Sequence, residues 1–345
     1  RQAQLAETEL QIDEEVYRLY DISDEDRRAI EEELGNGALP SAPEEESEPD
    51  EEEEDSSSLS TQELAFRWIS YAVGIALGRF QPGVDGALGR GDFPPETAER
   101  LRALADEDGI ATLDPDHSDD LAGKVERILE IALGETRARE VLTAGLGPGA
   151  GVQSLRDFLT RDFWKHHLQQ YRKRPCYWLL QSPKKTISYF LFHERATRDS
   201  LPLIRGSRYL GGKMRFLQTR LTDLHAQATK LEGREKRQLE KEAEVVEERL
   251  ADLEAFDRNL AQVLEAANSR GETVGWAPQI DDGVLINLAP LYALLPSWKS
   301  EPKKCWDELA KGNYDWSHTA MRYWPDRVLA KCKTNKSYAI AHGVE

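Results

Sequence analysis

Apolar residues in the first 34 positions fall at helical spacing, with Leu5, Leu10, Ile12, Val16, Leu19 and Tyr20 on one amphipathic run. Ser23, with Asp26 three residues on, reads as the start of a second short helix that Gly35-Asn36-Gly37 ends. The pattern then vanishes until Ser60. Ser60-Thr61-Gln62-Glu63 matches a capping box, and Leu64, Trp68, Ile69, Tyr71, Ala72 and Ile75 predict a helix that is apolar on most faces. Residues 78–95 read as a Gly/Pro loop, and helical periodicity returns over 96–106 and 119–143. Leu155, Phe158, Leu159, Phe163, Trp164, Leu168 and Tyr171 predict an aromatic helix over 152–172, and Thr186 to Phe192 predict a strand rich in β-branched and aromatic residues.

The longest periodic stretch follows. Leu217, Leu221, Leu224, Ala228 and Leu231 recur at spacings of four and three, and the pattern restarts in a new phase at Leu239 after a Glu232-Gly233 break. The phase change favours an antiparallel helical hairpin, with arms of about 25 residues reaching roughly 40 Å, over a continuous dimerising coiled coil. Residues 271–345 are rich in Trp, Tyr and Pro, and Asp281-Asp282-Gly283 reads as a turn into a short strand over 284–287. The fold class is thus α+β, predominantly α-helical: a small basic α+β unit plus a long antiparallel helical hairpin. The sections are a helical segment at 1–35, an acidic disordered linker at 36–59, a helical domain at 60–150, a basic aromatic α+β unit at 151–206, the hairpin at 207–270 and the Trp/Tyr-rich region at 271–345.

Charge changes this picture more than composition does. The net charge is −18 over 345 residues. Residues 1–60 hold 22 acids against 4 Lys/Arg, which is 4 − 22 = −18, so the remaining 285 residues are neutral. Within them, 161–220 carries 14 Lys/Arg against Asp162, Glu194 and Asp199, a local net of +11. Such polarisation points to a nucleic-acid site. The acidic linker, with its unbroken run 51–55, cannot bury enough apolar surface to order itself and reads as a solvated spacer; imitation of DNA at a basic site is the alternative. Three scattered cysteines form neither a disulfide framework nor a zinc site and fit a reducing cytoplasm. No run approaches the roughly 20 apolar residues that span a bilayer.

Candidate chemistry concentrates in 171–185, where five cations, three rings and two prolines share fifteen residues. Cations that neutralise phosphates beside rings that stack on bases suit a nucleic-acid grip; a solvated loop beside a small aromatic core is the bland alternative. Arg172, Lys173, Arg174, Lys184 and Lys185 are the expected phosphate contacts, with Tyr177 or Trp178 on sugar or base. Arg195, Arg198, Arg205, Arg208 and Lys213 would continue the track towards the hairpin. The aromatics and cations of 298–324 are either more of that surface or a ring-rich satellite core. The glycine-rich turn 145–151 has no Val/Ile strand before it and no acid at ribose distance after it, so it reads as a hinge. His166-His167, His193-Glu194 and Asp315-Trp316-Ser317-His318 raise a hydrolase reading, but no metal-spaced HExxH or serine elbow supports it.

Several separate stretches resemble one family. Ile12-Asp13-Glu14-Glu15-Val16-Tyr17-Arg18-Leu19-Tyr20-Asp21-Ile22, Trp68-Ile69-Ser70-Tyr71-Ala72-Val73-Gly74 with Gly78-Arg79-Phe80, and Phe163-Trp164-Lys165-His166-His167 through Lys173-Arg174-Pro175-Cys176-Tyr177-Trp178, followed in order by the hairpin and the Asp281-Asp282-Gly283-Val284 turn, resemble the C-terminal part of adenine-specific DNA methyltransferases of the BREX, or phage-growth-limitation, PglX-like type, related to type IIG-like restriction-modification methylases. The resemblance implies a parent enzyme that transfers methyl from S-adenosylmethionine to an adenine amino group through an Asn/Asp-Pro-Pro-aromatic motif on a flipped base. That motif is missing here: Phe93-Pro94-Pro95-Glu96 has the prolines with the wrong neighbours. The family's acidic-Pro-Ala-Cys-Gly-Ser-Gly cofactor loop is missing too. The chain begins with Arg, so 1–35 is expected to continue from an N-terminal catalytic methyltransferase domain in a longer reading frame. What remains is a DNA-binding and target-recognition region with no catalytic, metal or cofactor-binding residues of its own, S-adenosylmethionine belonging to the full-length enzyme. Its expected partners are double-stranded DNA, the methyltransferase domain and other phage-defence proteins. A protein-interaction scaffold without DNA binding is the alternative.

Overall fold

The computed structural model describes residues 15–19, 22–23, 26–28 and 60–344. Residues 15–19 and 26–28 are helical; the rest of the helical reading over 1–35, and the linker over 36–59, lie outside the described residues. The chain divides into Arg1–Ser58 and Leu59–Glu345, and the second unit holds the core.

That unit opens as the sequence predicts. The Glu63 N–H donates to the Ser60 hydroxyl, the Ser60 N–H donates to the Glu63 carboxylate at 3.0 Å, and α1 (Thr61–Ala76) follows. The short helix α2 is Pro95–Arg102. The periodicity over 119–143 divides at Gly134, whose φ of 81° no L side chain adopts easily, into α3 (Leu121–Leu133) and α4 (Glu135–Leu146). The predicted aromatic helix likewise divides, at Asp162, into α5 (Val152–Arg161) and α6 (Phe163–Gln170).

Three antiparallel strands, β1 (Ile110–Thr112), β2 (Tyr177–Gln181) and β3 (Ser188–Phe192), form one sheet in the order β1-β3-β2. Tyr177 pairs with Phe192 and Gln181 with Ser188, while Ile110 pairs with Leu191. Every strand residue is buried, so helices cover both faces and no polar alternation marks β1 or β2 in the sequence. One face carries Tyr177, Leu179, Phe190 and Phe192 and meets α6 through Phe163–Phe190 and His167–Tyr177 ring contacts. The other carries Trp178, Leu180, Tyr189 and Leu191 and meets Tyr209, Phe256 and Trp276.

After α7 (Ser200–Arg205) come α8 (Leu210–Ala228) and α9 (Gly233–Leu264), joined by residues 229–232. Glu232 is extended and Gly233 left-handed (φ 67°), which reverses the chain where the phase break lies. The arms are 19 and 32 residues rather than two of about 25. Leu217, Leu224 and Ala228 are buried on one arm and Ala243, Leu250, Leu253 and Phe256 on the other, and an Arg220–Glu242 ion pair ties the exposed side. The C-terminal part is helical: α10 (Val284–Leu288), a 3-10 turn over Ala289–Leu294, α11 (Ser300–Lys311), α12 (His318–Tyr323), α13 (Pro325–Cys332) and α14 (Lys336–Ala341). The strand expected over 284–287 is therefore a helix. Its cause is Asn287, which accepts from the Gln279 N–H (2.7 Å) and donates to the Gln279 and Gly283 carbonyls (2.6 and 2.8 Å), curling the segment on itself.

The main core runs from Ile69 to Trp298 and crosses the section boundaries at 150, 206 and 270. A second cluster, including Ile286, Leu309 and Val328, carries Trp306, Tyr323 and Trp324 packed on one another, so the C-terminal rings form a satellite core.

Candidate nucleic-acid interface

Two turns flank β2. The turn entering it carries Arg172, Lys173 and Arg174, all exposed; the β2–β3 turn carries Lys184, exposed, and Lys185, half-buried. The five cations therefore do not form one cluster. A five-residue strand separates them by roughly 16 Å at about 3.3 Å per residue. None of the five, nor Arg198, makes an ion pair among the described residues. Arg172, Lys173 and Lys185 have φ of 46°, 59° and 59°, and no other non-glycine residue among those described has positive φ. L residues pay for that conformation, and such strain collects at binding and switch sites.

The β2–β3 turn is held from below. The Lys184 N–H donates to Asp252 Oδ1 (2.8 Å) and the Thr186 hydroxyl to Asp252 Oδ2 (2.6 Å), with the Thr186 N–H at 3.4 Å. Asp252 lies buried on α9, so the hairpin positions this turn. Burial acts to raise the Asp252 carboxyl, but the donors of the turn outweigh it and hold it below its ordinary value. Those bonds also start β3 at Ser188 instead of Thr186. Asp252 was not legible as a site residue, since one acid in a long charged helix carries no signal of its own.

The rings do not join these cations. Tyr177 and Trp178 are 0% and 2% exposed, so neither reaches a base or sugar. This corrects the stacking expectation: β2 is sandwiched, and both of its faces are core. The cation that the rings take is Arg79, from the turn after α1, which sits 5.0 Å from the Tyr171 ring centre and 6.0 Å from that of Tyr177.

The expected track beyond β3 is also reassigned. Arg195 donates to the Asp106 and Glu107 carbonyls at 2.5 and 3.0 Å. Arg208 pairs with Asp108 (3.1 Å) and Asp119 (2.8 Å), and buried Lys213 with Asp114 (2.7 Å) and Asp116 (3.0 Å). Arg205 forks onto Asp257 at 2.7 and 3.0 Å. Residues 106–120, on either side of β1, hold seven acids and no Lys or Arg, and this segment absorbs much of the charge that looked free in the sequence. Crowding has a consequence inside the segment. Burial, with Asp106 alongside, pushes the Asp108 carboxyl up to about 7.

The hydrolase candidates have structural partners. His167 accepts from the Tyr177 N–H at 3.2 Å, and burial first, then Arg79, push its pKa down to about 3, so it is neutral. Asp315 pairs with Arg327 and Lys331, Ser317 caps α12, and His318 donates to Asp282. The glycine-rich turn joins α4 to α5, two helices, where a nucleotide-type cofactor loop needs a strand before it. These residues do not fit S-adenosylmethionine. No helix of the described residues is long and apolar enough to cross a membrane, and no group of three or more His, Cys, Asp or Glu among them could hold a metal.

No protein-family model matches the chain. Comparison with curated proteins relates it to the adenine-specific methyltransferases of the BREX, PglX-like type. It is 27% identical over 252 residues to adenine-specific methyltransferase BrxX of Escherichia coli O9:H4 (strain HS), a match covering 67% of this chain and 20% of that protein. It is 26% identical over 237 residues to adenine-specific methyltransferase PglX of Lacticaseibacillus casei (strain Zhang), covering 66% of this chain and 19% of that protein. The chain thus spans about a fifth of the length of the curated relatives it matches.

Proposed function

We propose that this chain is the DNA-engaging C-terminal region of a site-specific adenine methyltransferase of a phage-defence system, and that methyl transfer takes place on a catalytic part outside it. The relation to BrxX and PglX supports the enzyme class, and the lack of the Pro-Pro-aromatic motif supports the division of labour. One observation carries the DNA reading: the two strained turns flanking β2 present Arg172, Lys173, Arg174, Lys184 and Lys185 with no ion-pair partner among the described residues. A protein that held these side chains only for solubility would have no reason to keep three of them in a left-handed backbone. Phosphate contact is their role in this reading, and the hairpin is the rigid support that sets the second turn through Asp252. Arg198, exposed beyond β3, is a further phosphate contact in this reading.

Duplex DNA binding by the chain, measured by fluorescence anisotropy, tests the reading. Replacing Arg172, Lys173 and Arg174 by Ala, and separately Lys184 and Lys185, is expected to weaken binding with the folding transition unchanged. Wild-type affinity in both variants would end it.

A further inference from the structure

Between the β2–β3 turn, α5 and α9 lies a cavity of about 340 Å³, large enough for a small ligand. Arg161 from α5, Lys184 and Lys185 from the turn, and Arg249 from α9 line it, and none of these four makes an ion pair among the described residues. Arg156 completes the basic wall but is already held by Asp120 at 2.7 Å. The one acid in the lining is Asp157, which is exposed and accepts from the Gln153 amide at 3.2 Å. Arg249 adds an independent sign: its Nε is enclosed with no hydrogen-bond partner, a donor that folding has removed from water without replacing the bond. Four unpaired cations converging on one cavity from separate elements are what a site for a small anion with several acceptor oxygens requires.

We infer that this cavity is a seat for a single phosphate group. A phosphate offers oxygens in several directions at once, and the cations here converge from three separate elements. Arg249 closes the seat from α9, while Lys184, Lys185 and Arg161 close it from the turn and α5. Asp252 does not compete, because its oxygens are taken by the Lys184 N–H and by Thr186. The group has two sources of the same chemistry, a phosphodiester of a DNA backbone or a phosphomonoester of a free nucleotide. The inference goes beyond the duplex-contact reading, because a seat for a mononucleotide needs no duplex.

Calorimetric titration of the full chain with inorganic phosphate, at constant ionic strength set by chloride, is expected to show saturable one-to-one binding. Arg249→Gln is expected to weaken it by about tenfold or more, a loss of the size expected for one charge-assisted contact. Should that variant fold poorly, the Arg161→Ala/Lys184→Ala pair, at exposed positions, carries the test with the same expected loss and an unaltered melting curve. Competition then separates the sources: displacement by a duplex lacking terminal phosphates identifies the backbone phosphodiester, and displacement by a nucleoside monophosphate alone identifies the monoester. Absence of saturable binding, or wild-type phosphate affinity in the Arg161/Lys184 pair, overturns the seat. Duplex binding without phosphate binding would overturn the seat and leave the duplex reading standing; phosphate binding without duplex binding would do the reverse.

Discussion

Two aspartates show how the surroundings of a single residue decide its effect. Asp252 satisfies a backbone N–H and a hydroxyl of the β2–β3 turn from a buried position. Asp252→Ala strands both donors, so urea denaturation should show a loss of about 3 kcal/mol. Its depressed carboxyl gives stability that is complete above the unfolded value of about 4 and lost as pH falls through the lower folded one. Asp108 has the opposite sign. Its folded pKa of about 7 lies above the unfolded value, so between roughly pH 4 and 7 the folded chain binds more protons, and this group's contribution falls as pH rises. Asp108→Asn removes that cost. Its denaturation midpoint should gain on wild type steadily from pH 5 to 7 and hold the gain at pH 8; parallel curves would show that Asp108 titrates normally.

At the scale of elements, the longer helices up to Leu264 were largely legible, the short helices α10–α14 were not, and of the three strands only β3 was, for one physical reason. A helix with one covered face leaves a period in the sequence, and Ser60 with Glu63 even fixed where α1 starts. The hairpin was legible from its phase break, though not its unequal arms, because exposed helix beyond the packed stripe carries no period. A strand covered on both faces has no alternation, so Tyr177 to Gln181 read as a ring-bearing loop, and the three residues of β1 were too few to register. The bland alternative for the rings, a small aromatic core, was the correct one. The cations either side of β2 are a separate matter. Lys185→Gly should relieve a left-handed backbone and raise stability by about 1 kcal/mol or less, since glycine's greater unfolded freedom offsets part of the gain. If the turn exists to place a charge, the same variant should lose affinity for DNA. Stability and binding moving in opposite directions would mark the strain as functional; moving together, they would mark it as incidental.

Across the whole molecule, the local excess of +11 over 161–220 was an accurate sum and a poor map. Windowed charge cannot see that Arg208 and Lys213 meet acids about 90 to 100 residues earlier in the chain, in the segment 106–120. Of ten cations that the sequence offered to DNA, four are engaged inside the fold, and six remain: Arg172, Lys173, Arg174, Lys184, Lys185 and Arg198. Counterion release turns this division into a measurable number. Each neutralised phosphate contributes about −0.9 to the slope of log K against log salt, so six contacts limit the slope to roughly −5, where ten would give roughly −9. A slope steeper than the six-contact value would mean that further cations meet DNA, either Arg161 and Arg249 of the cavity or the internal pairs opening. The variants separate the two cases further. Arg208→Ala and Lys213→Ala should lower the folding midpoint and leave the slope alone, because each strands aspartates that are already partly or wholly buried. Lys184→Ala should instead leave the midpoint alone and make the slope shallower by about one contact.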